Sequence, residues 1–222
     1  MSRSSIGSIA MPQLLAADAM AAHLIAGGAA LLPTDTVPAL AVAPPHAAEI
    51  WRRKQRPADK PLILLAADLE QLLTWLALPW QPGWLEAARS HWPGAVTLVL
   101  PIAGPLTELL HPGGHSLGLR VPACPLLQDL LRRSGPLASS SANRSGLPAA
   151  LTAEAAAQQF SDLPLLAPLP WPPASGQASA VWQWQGDQGQ ASPALSAWRV
   201  LRAGAVTPAD PPAHPGLLLS GG

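Results

Sequence analysis

The apolar positions fall into short blocks that switch between a helical and an extended period. Residues 13–26 place Leu14, Leu15, Met20, Leu24 and Ile25 among many alanines, the spacing of a helix with one buried stripe. Gly27-Gly28 stops that helix, and 29–32 reads as a short buried strand ended by Pro33. Residues 46–53 predict a helix with Ile50 and Trp51 facing inward. Residues 62–66 predict a strand, and Asp68 opens a helix whose apolar face is Leu69, Leu72, Leu73 and Leu76. The Pro- and Trp-rich residues 79–84 read as a loop, with a short helix over 86–91. A turn at 92–95 enters a strand that reaches Leu100 and carries Thr97 among aliphatic neighbours. Further along, 116–121 predicts a strand, 125–133 a helix ended by Gly135, and 137–140 another short strand. Thr152 caps a helix that runs to Phe160, with Glu154 in its first turn. Pro and Leu dominate 163–176 with no period, which reads as a connecting loop. Residues 178–184 and 198–203 look like a terminal pair of strands, and the tail after Pro208 reads as disordered.

Composition narrows the classes. The 222 residues suffice for one large domain or two small ones. Charged residues are 12% against 49% hydrophobic, and 27 prolines make the loops many and stiff. A net charge of zero argues against a broad nucleic-acid face and leaves room for a local basic pocket. Cys124 stands alone, which excludes a disulfide framework and a Cys-based zinc site and fits a reduced, cytosolic setting. No apolar run approaches the roughly 18 residues needed to cross a bilayer, so no membrane association is expected. The N-terminus, with Arg3 and then Asp18 inside its apolar part, is a poor signal peptide, and Met11 is an alternative start.

Candidate chemistry gathers in a few loops. Only 13 Lys and Arg occur, yet Arg52, Arg53, Lys54, Arg56 and Lys60 fall within nine positions, between a predicted helix and a predicted strand. Such a cluster either holds a polyanion, a nucleotide triphosphate being the best candidate, or is a solvated helix end. Thr34-Asp35-Thr36 follows a strand, where α/β folds place ligand groups; the alternative is a turn with Thr34 or Asp35 as a helix cap. Arg120 ends an apolar strand and needs a partner, a carboxylate of the protein or of a ligand. The loop Ser139-Ser140-Ser141-Ala142-Asn143-Arg144-Ser145-Gly146 is either an anion-binding nest or a Ser-rich turn. His111 and His115 flank Pro-Gly-Gly, which precludes a helical face, and no third ligand is evident; no metal site is expected there.

Four segments now agree in order and kind with one family. Pro33-Thr34-Asp35-Thr36-Val37, Lys54-Gln55-Arg56-Pro57 with Lys60-Pro61-Leu62, Trp92-Pro93-Gly94-Ala95-Val96-Thr97, and Ser141-Ala142-Asn143-Arg144-Ser145-Gly146 resemble the ordered motifs of the YrdC-like family, that of threonylcarbamoyl-AMP synthase. Weaker matches at Ser179 and at Val200-Leu201-Arg202 extend the likeness to about residue 204, and the length resembles the short bacterial form without an added C-terminal domain. The resemblance implies a single α/β domain over 11–207, with 1–10 and 208–222 as flexible ends. Its sheet is expected to be open, twisted and of mixed, largely antiparallel strands, with helices, curved around a deep basic cavity.

The implied reaction joins threonine, bicarbonate and ATP into threonylcarbamoyl-AMP and pyrophosphate. A transferase complex then moves the threonylcarbamoyl group onto tRNA. By resemblance Lys54, Arg56, Ser141 and Asn143 carry catalysis. Arg56, Lys60, Ser116, Ser141, Asn143 and Arg202 hold ATP, and Thr34, Arg120 and Ser179 hold threonine. Both reacting groups are anionic, so the roles are positional and electrostatic and no dedicated base is required. Mg2+ is expected with ATP as part of the substrate, and direct tRNA binding is a further expectation. The chain departs from the family pattern at Pro38-Ala39, where relatives carry Tyr-Gly, and at Leu65, where some carry His. It also lacks a second hydroxyl in Ser179-Ala180-Val181-Trp182. These departures touch the threonine side. The alternative reading is a non-catalytic RNA- or nucleotide-binding paralogue, which binds tRNA without turnover.

Overall fold

The computed structural model describes residues 12–186, 198–204 and 206. The expected flexible ends and the proposed start at Met11 lie outside the described residues, as do both edges of the expected 11–207 domain. Ten strands form one open sheet: β1 (Leu14–Leu15), β2 (Ala30–Leu32), β3 (Ala39–Val42), β4 (Ile63–Leu65), β5 (Val96–Leu100), β6 (Leu117–Arg120), β7 (Leu137–Ser141), β8 (Leu165–Leu166), β9 (Ala180–Trp184) and β10 (Trp198–Arg202). Their order is β1-β8-β2-β3-β7-β4-β6-β5-β9-β10. Parallel and antiparallel pairs are interspersed, so the sheet is mixed, as the family resemblance implies. The helices are α1 (Ala17–Ile25), α2 (Ala48–Lys54), α3 (Leu69–Leu76), α4 (Pro82–His91), α5 (Pro105–Leu110), α6 (Pro125–Ser134) and α7 (Ala153–Gln159). No helix among the described residues is long and apolar enough to cross a membrane.

Side chains on a strand alternate between faces, and here the alternation explains where the cavity lies. On one face Leu31, Leu40, Leu64, Val96, Leu98, Leu117, Leu119 and Trp182 join a single core with Ile50, Trp51, Leu72 and Trp84 from the helices. On the other face α1 and α6 cover only part of the sheet. Met20, Leu24, Leu127, Leu130 and Leu131 pack there against Leu32, Ala41 and Leu65. Beyond that cover the second face of β5, β6 and β9 presents Thr97, Val99, Gly118, Arg120, Val181 and Gln183, all lining a cavity. The second face thus has an apolar half, which recruits two helices, and a mixed half that stays open.

Several predicted boundaries move. The helix expected over 13–26 begins only at Ala17, because Leu14–Leu15 pairs in parallel with Leu165–Leu166. The stretch 163–176 therefore contains a strand rather than only a loop; two residues are too few to show a period. The helix expected at 86–91 starts at Pro82, whose missing N–H costs nothing in a first turn. Thr34 and Asp35 cap no helix, since the chain enters β3 instead. Strand β3 and helix α5 were not apparent in the sequence. The terminal pair is as expected: β9 and β10 are antiparallel, with Trp184 opposite Trp198.

Candidate active site

Buried polar groups mark the site. Among the described residues these are Thr34, Thr36, Lys54, Thr97, Thr107, Arg120, Ser139 and Ser179. All but Lys54 and Thr107 line one cavity of about 460 Å3. Hydroxyl and guanidinium groups are costly to bury without partners, so their concentration around one hollow needs either internal bonds or a ligand. Both are provided for here.

The Thr34–Val37 turn forms the first wall. Thr34 Oγ1 donates to Val37 O at 2.7 Å, accepts from Thr36 N at 3.0 Å and lies 2.9 Å from Thr36 Oγ1. Arg120 reaches this turn from the end of β6. Its Nη1 donates to Thr36 Oγ1 at 2.9 Å, its Nη2 to Asp35 Oδ1 at 2.7 Å and its Nε to Gly94 O at 2.9 Å. The partner that the sequence demands for Arg120 is thus the protein's own Asp35. Three of its five N–H groups are engaged, so the guanidinium sits fixed with capacity to spare. Burial pulls Arg120 below its ordinary pKa, Asp35 opposes this, and Arg202 adds repulsion. Gly94 is required at its place: a Cβ there would lie 2.4 Å from the His91 carbonyl oxygen.

The basic cluster divides. Arg52 and Arg53 both pair with Glu49, and Arg53 also with Asp162, on the outer side of α2. Lys60 is exposed and does not line the cavity. Gln55 takes a left-handed conformation at the end of α2, with φ 52°, and turns the chain so that its neighbours Lys54 and Arg56 both meet the serine loop. Lys54 is buried behind the cavity wall, where Nζ donates to the carbonyl oxygens of Ser141 and Asn143. Burial, and secondarily Arg56, push its pKa down to about 8. Arg56 alone of the five lines the cavity; its Nη1 donates to Ser140 Oγ at 3.0 Å. Burial and then Arg202 lower the Arg56 pKa, with Asp59 opposing.

The serine loop is braced by its own asparagine. Ser141 Oγ donates to Asn143 Oδ1 at 2.6 Å, and Asn143 Nδ2 donates to Leu147 O at 2.7 Å. Asn143 does not line the cavity, whereas Ser139, Ser140 and Ser141 do. The basic loop and the serine turn therefore touch directly rather than facing each other across the hollow. The far side is supplied by Arg202, whose Nε donates to Ser179 O at 3.0 Å and Nη2 to Ser179 Oγ at 3.2 Å. Ser179 Oγ lies 2.9 Å from Thr97 Oγ1. Ser116 lines the cavity too.

Of the ten site residues expected from the sequence, Thr34, Arg56, Ser116, Arg120, Ser141, Ser179 and Arg202 line the cavity, while Lys54, Lys60 and Asn143 do not. Thr36, Ser139 and Ser140, which lie in the two loops that the sequence marks as candidates, line the cavity as well, and so does Thr97, to which the sequence assigns no role. Strand alternation would have found Thr97, since its neighbours Val96 and Leu98 are core. Among the described residues the lining holds three guanidinium groups and no carboxylate. That arrangement stabilises anions, including charge that builds up during a reaction. No group of three or more metal-ligating side chains occurs among the described residues.

Sheet and site together define an α/β protein with one cavity lined by three arginines and a set of hydroxyls. A family model described as Telomere recombination, that of Sua5, YciO and YrdC, matches residues 22–204, and the chain belongs to this family. It is 43% identical over 142 residues to a threonylcarbamoyl-AMP synthase of Stenotrophomonas maltophilia, covering 61% of this chain and 76% of that protein. To a protein of the same name from Idiomarina loihiensis it is 39% identical over 150 residues, covering 64% of this chain and 80% of that one. Among solved structures, P. abyssi Sua5 complexed with L-threonine superposes with a TM-score of 0.75 at 26% identity, over 87% of this chain. This chain spans 57% of that one, somewhat over half its length. E. coli YciO shares the fold, with a TM-score of 0.69 at 21% identity, over 88% of this chain and 97% of its own.

Proposed function

We propose that the chain is a threonylcarbamoyl-AMP synthase, acting as a nucleotidyltransferase on ATP. The reading rests on one observation: Arg56, bonded to Ser140, shares a single cavity with Arg120 and Arg202 and with no carboxylate in its lining. Relatives of that name, and a related structure complexed with L-threonine, support the choice of substrates.

In this reading threonine and bicarbonate first give N-carboxy-threonine and water. A carboxylate oxygen of the new carbamate then attacks the α-phosphorus of ATP; one P–O bond forms there as the bond to pyrophosphate breaks. Ser179 and the spare N–H groups of Arg120 hold the amino acid, and Thr34, its hydroxyl fully engaged within the turn, shapes the wall beside them. Arg56 and the hydroxyls of Ser139, Ser140 and Ser141 hold the phosphates, and Arg202 stands across from them. Two anions are thus brought together under three fixed cations, which lowers the repulsion between them. Lys54 and Asn143 act from behind by fixing the serine loop. Mg2+ enters with ATP as substrate, its ligands phosphate oxygens and water. The product passes to a tRNA-modifying transferase in the cytoplasm.

Pyrophosphate release is the test. It should require ATP, threonine and bicarbonate together and stop when any one is omitted. Release that ignores threonine, or tRNA binding without any turnover, would overturn the reading.

A further inference from the structure

The floor of the cavity has a gap in its side chains. Register places Ser139, Ile63, Gly118, Val99 and Gln183 in one row across five strands, about 19 Å from end to end at the usual strand spacing. Gly118 sits in the middle of that row. Its φ is not in the left-handed region, so the backbone does not demand glycine. Packing does not demand it either: a Cβ there would meet only Thr97 Cγ2 at 3.5 Å, Ile63 Cγ1 at 3.7 Å and Leu62 O at 3.9 Å, ordinary contacts. What a side chain would remove is open space over an apolar patch formed with Ile63 and Val99.

Two polar groups on this part of the lining remain available. Gln183 lines the cavity, and its side-chain amide makes no hydrogen bond among the described residues. His111 lines it as well, and Nδ1 is 3.0 Å from Ser116 O. A carbonyl can only accept, so Nδ1 carries the proton, which leaves Nε2 for a ligand. Gly114 lets the ring lie in this position, because a Cβ there would fall 2.2 Å from Nδ1. Arg120, two residues along β6 from Gly118, and Arg56 and Arg202 line the same cavity and suit the charged parts of a nucleotide.

We propose that the bare floor over Gly118 seats the nucleobase, with Gln183 and His111 meeting its polar edge. The proposal rests on the ATP-dependent reading above and adds which residues recognise the uncharged end of the nucleotide. A flat apolar floor removes the base from water, and an amide with both a donor and an acceptor suits a purine edge.

Calorimetric titration of the full chain with ATP, and separately with inorganic tripolyphosphate, tests this. Gly118→Val fills the gap with a residue that favours strands, and Gln183→Leu removes the amide from a partly exposed position. Each should weaken ATP binding by at least about tenfold while tripolyphosphate binding stays within about twofold. Thermal unfolding of each variant checks that the fold is kept; should Gly118→Val not fold, Gln183→Leu carries the test. Unchanged ATP affinity in a folded variant overturns the seat and leaves the synthase reading standing. Equal loss for both ligands also overturns it. Failure of the wild-type chain to bind ATP overturns both.

Discussion

Lys54 is a buried cation, 3% exposed, with no carboxylate partner among the described residues, where its ammonium bonds to oxygens of the serine loop. Lys54→Met removes these bonds but also removes the cost of desolvating a charge. The two effects oppose, so stability should change by less than about 2 kcal/mol, while turnover drops because Ser141 is no longer fixed. Denaturant unfolding and pyrophosphate release measured on the same sample separate the two. The pH dependence has a definite sign. With the folded pKa lowered from 10.5 to about 8, folding disfavours the charged lysine at neutral pH. That cost is relieved as pH rises from about 8 towards 10.5, so the Lys54 contribution to stability rises over this window. Activity should fall as pH passes 8, when the ammonium loses a proton; Lys54→Arg, which stays charged, should shift or abolish that limb in a pH–rate profile. Asp35 is the counterpart on the other wall. Asp35→Ala leaves Arg120, with a side chain only 6% exposed, without its carboxylate, and should cost about 3 kcal/mol in unfolding free energy together with threonine affinity.

Helices and strands that carry the site were readable where they were long or strongly patterned. Helix α3 announced itself through Asp68 and a leucine stripe, and the structure has Asp68 Oδ1 accepting from Gln71 N at 2.8 Å. Asp68→Ala should cost about 1 kcal/mol, seen as a lower melting temperature, with turnover unchanged because α3 does not reach the cavity. Strands of two residues, such as β1 and β8, carry no period and exist only through their partners. The serine loop and the Thr34 turn were recognisable by composition, but not which side chain would face inward. That outcome was set by one left-handed residue, Gln55, and by the depth of β7. The same limit applied to Arg120: the sequence required a partner, and only the register of β6 beside the Gly94 turn identified Asp35. Gly94→Ala should push that turn away from Arg120 and reduce threonine affinity without abolishing the fold, which calorimetry and thermal unfolding would report separately.

Across the whole molecule, one sheet is used in two ways. One face is sealed by a continuous core, and the other is divided between the α1–α6 cover and the cavity. Every cation in that cavity comes from a different part of the chain, so the site exists only when the sheet is complete. The order of its motifs was legible in the sequence; their contact was not, because it depends on β7 lying between β3 and β4. The central claim is that Arg56 faces the reacting phosphates, whereas Arg52, one helical turn earlier in the chain, belongs to the surface. Pyrophosphate release by Arg56→Ala and Arg52→Ala, compared with wild type under saturating substrates, tests it most directly. The account predicts a loss of about a hundredfold for Arg56→Ala and near-wild-type turnover for Arg52→Ala. Similar losses in the two variants, or full activity in Arg56→Ala, would contradict it.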